Sequence, residues 1–270
     1  MADPVAETDE TDVRDAPDDT GVKEVKSAAR TMDVLEFLAS RSGEPSRLRE
    51  IATALAAPRS STYALLRTLV SREWVRTDIS GNFYSLGLRA LLVGTSYLDA
   101  DAYVRVVRPV LAQVTESLDE TMHLARLDGT DVVYLATQES HQYLRANSRV
   151  GRRLPAHATS LGKAILAERD EAAVPDELAA LTARTITDRG ALLTDLATVR
   201  MRGYAIDDEE NTMGLRCFGF ALHYTDPVSD AFSCSVPLAR LTPERERQIV
   251  ETMQAARRQI EALAPPRGRF

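Results

Sequence analysis

The sequence predicts an α+β protein in two folded parts, and three observations carry that expectation. At 270 residues the chain is longer than one ordinary domain of roughly 100–200 residues. Apolar residues between Ser27 and Arg72 recur at helical spacing and are followed at once by a short β-prone pair. After Asp119 the period switches to two, and strand-like and helical stretches then alternate through Leu263.

In the first part, Ala28, Met32, Leu35, Leu38 and Ala39 recur at three- and four-residue spacing, which predicts an amphipathic helix from Ser27 to Arg41. Ser42-Gly43-Glu44-Pro45 ends it. A short helix follows from about Leu48 to Leu55, with Ser46 as the expected N-cap and Leu48, Ile51, Ala52 and Leu55 facing inward. Ala56-Ala57 is a tight connection, and Pro58 suits a first helical turn. The third helix runs to about Arg72, with Tyr63, Leu65, Leu66, Leu69 and Val70 as its apolar stripe. Two short helices so spaced form a helix-turn-helix. Trp74–Thr77 and Phe83–Leu86 flank Ile79-Ser80-Gly81-Asn82, a hairpin with turn chemistry at its tip, and a hairpin in that place is a wing.

The exposed start of the third helix, Arg59, Ser60, Ser61, Thr62 and Tyr63, presents a cation, hydroxyls and a helix N-terminus. Such groups contact phosphates and base edges when a helix enters the major groove of duplex DNA. Arg67 lies farther along, and Arg76 on the hairpin suits a phosphate. Ser, Thr and Arg are also ordinary capping residues, so each position alone leaves both roles open. A net charge of −7, taken over the whole chain, opposes a DNA partner. However, the first twenty residues hold Asp3, Glu7, Asp9, Glu10, Asp12, Asp15, Asp18 and Asp19 against Arg14, which accounts for the whole imbalance. Val22–Gly87 has ten basic and seven acidic residues, and local charge is what meets phosphate. The leader, residues 1–21, lacks apolar periodicity and is expected to be disordered.

Residues 88–102 are expected to form a connecting helix of the kind that often carries dimer contacts, and 103–267 the second part. There Val104–Ser117 is helical, and Thr121–Leu127 with Val132–Ala136 forms a hairpin about Asp128-Gly129-Thr130-Asp131. Leu144–Asn147, Tyr204–Ile206, Arg216–Leu222 and Ala231–Ser235 are further expected strands. Helices are expected near Ser160–Glu168, Leu192–Arg202 and Pro243–Leu263. A loop of small residues runs from Gly151 into the helix beginning near Ser160, and the free amides of such an N-terminus suit a carboxylate. Thr159 and Ser160 could equally serve only as caps, and Gly162 permits close approach of a ligand or a neighbouring backbone. Ser233 and Ser235 share one strand face. Asp207-Asp208-Glu209-Glu210 reads as a solvated turn.

These words together resemble the IclR family of bacterial transcriptional regulators. The resemblance rests on Leu48–Ala52 with Pro58–Tyr63, on Leu154–Ala164, on Arg202–Glu210 and on Ser233–Pro237. It implies a winged helix-turn-helix joined by a helix to a GAF-like effector domain, in dimers that often pair into tetramers. The implied effector is a small organic acid, a sugar acid or an aromatic acid. The positions matching the family's effector contacts are Ala158, Thr159, Ser160, Leu161 and Gly162, then Asp207, Cys217, Ser233 and Ser235. Two departures stand out: Ala56 where the family often has Gly at the helix-turn-helix corner, and Ala64 where an Arg often follows the Tyr. Operator DNA, the acid and a second copy of the chain are thus the expected partners, in the cytoplasm, most often as a repressor. No cofactor or metal is expected. Cys217, His157 and His223 could be imagined as a thiol–imidazole hydrolase, but no nucleophile motif or ligand-spaced His cluster accompanies them. No enzyme is expected.

Overall fold

A computed structural model of the protein describes residues 25–41 and 43–265, so the acidic leader and its expected disorder lie outside the described residues. The chain divides into two compact units, residues 1–93 and 94–270.

The first unit contains α1 (Lys26–Ser40), β1 (Ser46–Arg47), α2 (Leu48–Ala54), α3 (Arg59–Ser71), β2 (Val75–Thr77) and β3 (Phe83–Leu86). Val34, Leu38, Ile51, Leu66, Leu69, Val75 and Tyr84 form its core. The stripe of α1 is rotated from the expected one. Val34 and Leu38 are buried, whereas Ala28, Met32 and Ala39 are exposed. Several apolar residues on α1 fit two overlapping helical faces, and packing against α2 and α3 selects one. Ser46 does not cap α2: it is buried in β1, a strand paired with β3 (Ser46↔Tyr84) that extends the wing to three strands, β1-β3-β2. Arg47 takes the cap position, and the Glu50 carboxylate accepts its backbone N–H at 2.6 Å. At the helix-turn-helix corner the Ala57 N–H donates to Ala52 O at 3.0 Å, and Ala56 adopts φ 46°. That left-handed conformation costs a residue with a Cβ about 1–2 kcal/mol, so the corner keeps a glycine-like geometry without the glycine.

α4 (Leu88–Ala100) carries the chain into the second unit. There α5 (Ala102–Leu118), β4 (Thr121–Asp128), β5 (Asp131–Gln138), β6 (Arg153–Pro155), α6 (Ser160–Ala167), α7 (Arg189–Arg202), β7 (Ala205–Asp208), β8 (Leu215–Leu222), β9 (Asp230–Pro237) and α8 (Pro243–Leu263) follow in order. The six strands form one antiparallel sheet, β6-β5-β4-β9-β8-β7. Strand alternation divides its two faces. Met122, Leu124, Phe218, Phe220, Leu222, Phe232, Cys234 and Val236 pack with residues of α5 and α8. Ala125, Val132, Tyr134, Ala221 and Ala231 pack with residues of α6 and α7. The expected strand at Leu144–Asn147 is an irregular loop; Ala146 is buried but Leu144 is 58% exposed, and the Leu144 carbonyl accepts from Arg240 at 2.7 Å instead of pairing in a ladder. Among the described residues no helix is long and apolar enough to cross a membrane.

Candidate functional site

Two glycines seat α6 against its surroundings. A Cβ on Gly219 of β8 would lie 2.2 Å from Ser160 O, and one on Gly162 would lie 2.2 Å from Ala156 O. The close approach that Gly162 permits is therefore to neighbouring backbone. Thr159 caps the helix, its Oγ1 accepting the Gly162 N–H at 2.9 Å. At this end of α6 the N–H groups of Ser160 and Leu161, in the first turn, lack an acceptor within the helix.

That end faces a small pocket on the sheet. Its walls include Thr159, Ser160, Leu161, Asp207, Cys217, Ser233 and Ser235, so seven of the nine expected effector positions converge. Ala158 and Gly162 do not line it: both are buried behind the helix start. The expected solvated turn at Asp207–Glu210 is also corrected. Asp207, Glu209 and Glu210 are buried, because Asp207 Oδ1 accepts the Glu210 and Asn211 N–H groups at 2.8 and 3.2 Å and folds the turn inward.

Sequence reading missed the opposite wall. His123 (β4), Tyr134 (β5), and Ala146, Asn147, Ser148 and Arg152 of the β5–β6 loop complete the pocket with Asn211, Thr212 and Leu215. The loop is fastened at both ends. Asp119 accepts from Ser140, His141 and Gln142 at one end; at the other, Tyr134 exchanges backbone hydrogen bonds with Gly151 and Arg152. Arg152 thereby reaches the pocket. Its guanidinium donates to Asn147 O at 3.3 Å and forms no ion pair among the described residues. Ser148 Oγ and Asn211 Nδ2, both buried, have no hydrogen-bond partner among the described residues. Arg152, the start of α6, Ser148 and Asn211 line one small space of about 40 Å³.

Electrostatics follow from the burial. His123 falls to about 3, first through burial and then through Arg152, so its imidazole is neutral, with Nδ1 3.2 Å from Thr137 Oγ1. The Cys217 thiol is pushed up by its dry surroundings and by Asp207, and it donates to Ser235 Oγ at 3.2 Å. Behind Asp207, Lys163 of α6 is buried and pairs with Glu210 at 2.5 Å and Asp195 at 2.9 Å. The residues of the imagined hydrolase are engaged separately. His157 contacts Ala179 O and His223 contacts Glu168 and Glu261, so neither serves the thiol. Among the described residues no metal-holding group of His, Cys, Asp and Glu occurs. A larger hollow of about 620 Å³ beside Tyr204 and α8 is less apt, because its Arg216 is already paired with Asp208 and Glu246.

In the first unit, Arg59 and Ser60 are exposed at the start of α3, and Tyr63 is 48% exposed instead of joining the apolar stripe. Ser61 is partly exposed and donates to Pro58 O at 2.9 Å. Thr62 is a correction: it is fully buried and its hydroxyl donates to Pro58 O at 3.1 Å, so it faces the core and not a groove. Arg67 and Arg76 are exposed. Arg47 and Arg49, which sequence reading passed over, join Arg59, Asn82 and Phe83 around one hollow, with the Arg47 guanidinium 4.7 Å over the Phe83 ring. None of Arg47, Arg49, Arg59, Arg67 or Arg76 is ion-paired among the described residues. The wing tip is braced by Asp78, which takes N–H groups from Ser80, Asn82 and Phe83 and is lowered to about 2, first by the Ser80 hydroxyl.

Residues 27–78 match the family model of the IclR helix-turn-helix domain, and residues 95–262 that of the bacterial transcriptional regulator IclR C-terminal domain. Transcriptional repressor IclR of Escherichia coli K12 is 32% identical over 231 residues, 82% of this chain and 84% of that protein. Among solved structures, an IclR transcriptional regulator from Alicyclobacillus acidocaldarius superposes with a TM-score of 0.80 at 24% identity, covering 90% of this chain and all of that one. An IclR homologue from Microbacterium hydrocarbonoxydans, complexed with 4-hydroxybenzoate, gives 0.75 at 24% identity over 88% of this chain and 98% of that one.

Proposed function

Because the chain belongs to the IclR family of DNA-binding transcriptional regulators, we propose that it is a repressor released or tightened by a small hydroxylated organic acid bound beside α6. The observation that carries this reading is the convergence of Arg152, which has no ion pair among the described residues, the start of α6 and the unpartnered Ser148 Oγ and Asn211 Nδ2 on one pocket. A carboxylate suits the cation and the helix N-terminus. Hydroxyl groups suit Ser148, Asn211, Ser233 and Ser235, and these polar groups beside Arg152 favour a sugar acid over an aromatic one, with Tyr134, Ala146, Leu154, Leu161 and Leu215 as the apolar part of the wall. The 4-hydroxybenzoate of the Microbacterium homologue is an aromatic alternative on the same fold. About 40 Å³ holds little more than one water molecule, so the acid enters as the Ala146–Arg152 loop moves outward.

DNA is met by the start of α3, the α2 arginines and the wing: Arg59, Ser60, Ser61, Tyr63, Arg67 and Arg76, joined by Arg47 and Arg49. Two copies pair through α4, whose Leu88 and Val93 are more than half exposed, and two such dimers form the tetramer. An acid that binds one arrangement of the paired chains better than another shifts operator affinity by linkage. The protein works in the cytoplasm, where its DNA is.

The test is thermal unfolding of the full chain with gluconate, pyruvate and 4-hydroxybenzoate. Gluconate is expected to stabilise it, and Arg152→Ala to weaken that binding roughly 10- to 100-fold, the worth of a charge-assisted hydrogen bond. Stabilisation by pyruvate or 4-hydroxybenzoate without gluconate, or an unchanged affinity in the variant, refutes the sugar-acid reading.

A further inference from the structure

Arg126 of β4 uses its whole guanidinium in one cluster. Nε and Nη2 donate to the two oxygens of Asp230, both at 2.7 Å, while Nη1 donates to Asp101 Oδ2 at 2.6 Å and to the Tyr97 hydroxyl at 2.9 Å. Asp230 is fully buried at the start of β9 and also accepts from Tyr224 at 2.8 Å. Tyr224 stacks on Tyr103 of α5 at 4.2 Å. Asp101 is the N-cap of α5, its other oxygen accepting the Tyr103 and Val104 N–H groups, and Tyr97 lies in the last turn of α4. The α4–α5 junction is therefore tied to the centre of the sheet through Arg126, beside the Tyr103–Tyr224 stack.

The register shows what that tie connects. On the central ribbon, His123 of β4 pairs with Ser233 of β9, and both line the pocket. Arg126 pairs with Asp230 on the same ribbon. The two rungs are three residues apart, about 10 Å along a strand. Odd spacing puts the side chains on opposite faces: His123 and Ser233 face the pocket, Arg126 and Asp230 face α5. A bulge at Leu124/Ala125, between the two rungs, loosens β4 from β5 where the ribbon must tilt.

We infer that Arg126 is the positioning residue through which occupancy of the pocket is felt at the α4–α5 junction. An acid that shifts the His123–Ser233 rung tilts the ribbon, and the fork on Asp230 carries that tilt to Asp101 and Tyr97. The inference rests on the ligand-responsive reading above.

The decisive variant is Asp101→Asn with Tyr97→Phe in the full chain. Asparagine still caps α5, and the Arg126–Asp230 fork is untouched, yet the hold on the junction loses its charge and a hydroxyl. Three quantities are measured: acid affinity, using whichever of gluconate, pyruvate and 4-hydroxybenzoate stabilises the unmodified protein; affinity for a duplex selected by the unmodified protein from a random pool; and the ratio of duplex affinities with and without saturating acid. Couplings of this kind are roughly 5- to 150-fold. The first two are expected to stay within about twofold while the ratio falls toward 1, a pattern that a purely structural anchor does not produce. An unchanged ratio in the variant overturns the role of Arg126 alone. A ratio of 1 in the unmodified protein overturns the ligand-responsive reading and this inference with it.

Discussion

Asp207 and Glu210 are carboxylates held where ionisation is disfavoured. Burial pushes Asp207 up to about 6 and Glu210 up to about 7, against the pull of Lys163 on both. Asp195 of α7 and Asp207 add to the rise at Glu210, whose Oε2 is buried without a hydrogen-bond partner. Such groups bind protons more tightly folded than unfolded. Their stabilising effect is complete below the ordinary values of 3.8 and 4.5 and is lost as pH climbs through about 6 and 7. Thermal unfolding of the full chain between those limits is expected to show a midpoint falling with pH, and Glu210→Gln, which mimics the protonated side chain, to flatten that fall. Equal slopes for the two proteins would refute the assignment. At this scale the sequence was legible where one strand or loop carries neighbouring groups, as with Ser233 and Ser235 or Thr159 and Ser160. Arg152, His123 and Tyr134 were illegible because long-range pairing of β4, β5 and β9 brings them to the pocket. Thr62 and Tyr63 are adjacent, and which of them turns inward depends on how α3 rolls against α1 and α2.

Elements with strong end signals read truest. Thr242 and Pro243 mark the start of α8, and its expected span, Pro243–Leu263, is the observed one. α7 begins at Arg189, earlier than expected, because Asp188 caps it by accepting the Ala191 N–H. β1 is two residues long and left no periodic trace, while the β5–β6 loop is held by contacts distant in sequence. The seat of α6 on β8 is an element-scale device that one substitution should disturb. In Gly219→Ala the new Cβ meets backbone, which cannot swing aside as a side chain can. Urea unfolding is expected to show a loss of about 1–3 kcal/mol, the usual cost of overpacking, with acid binding weakened because the α6 amides shift. A loss below about 0.5 kcal/mol, the ordinary scatter of surface changes, would mean that the helix gives way freely.

For the molecule as a whole, unpaired arginines on an acidic protein make DNA affinity a matter of local charge. Removing one cation that neutralises a phosphate should make the plot of log affinity against log salt shallower by roughly 0.9. Arg47→Ala, Arg49→Ala and Arg59→Ala are each expected to shift that slope by about this amount in gel-shift titrations. A slope unaltered in all three would move the interface away from the α2–α3 hollow. A symmetric dimer should also prefer half-sites about 34 Å apart, or a multiple of that distance.

The strand pair at the sheet's centre joins segments made far apart in time. Arg126 and Asp230 are 104 residues apart, so at roughly 5–20 residues per second their synthesis is separated by about 5–20 s. The helix-turn-helix precedes both, and its core draws on no residue beyond Leu86. Cys217, Ser233 and Ser235 come late, and until β9 is made the pocket has no floor. On the ligand-responsive reading, a translation product cut short before Asp230 would carry the arginines of α2 and α3 with no complete pocket to govern them.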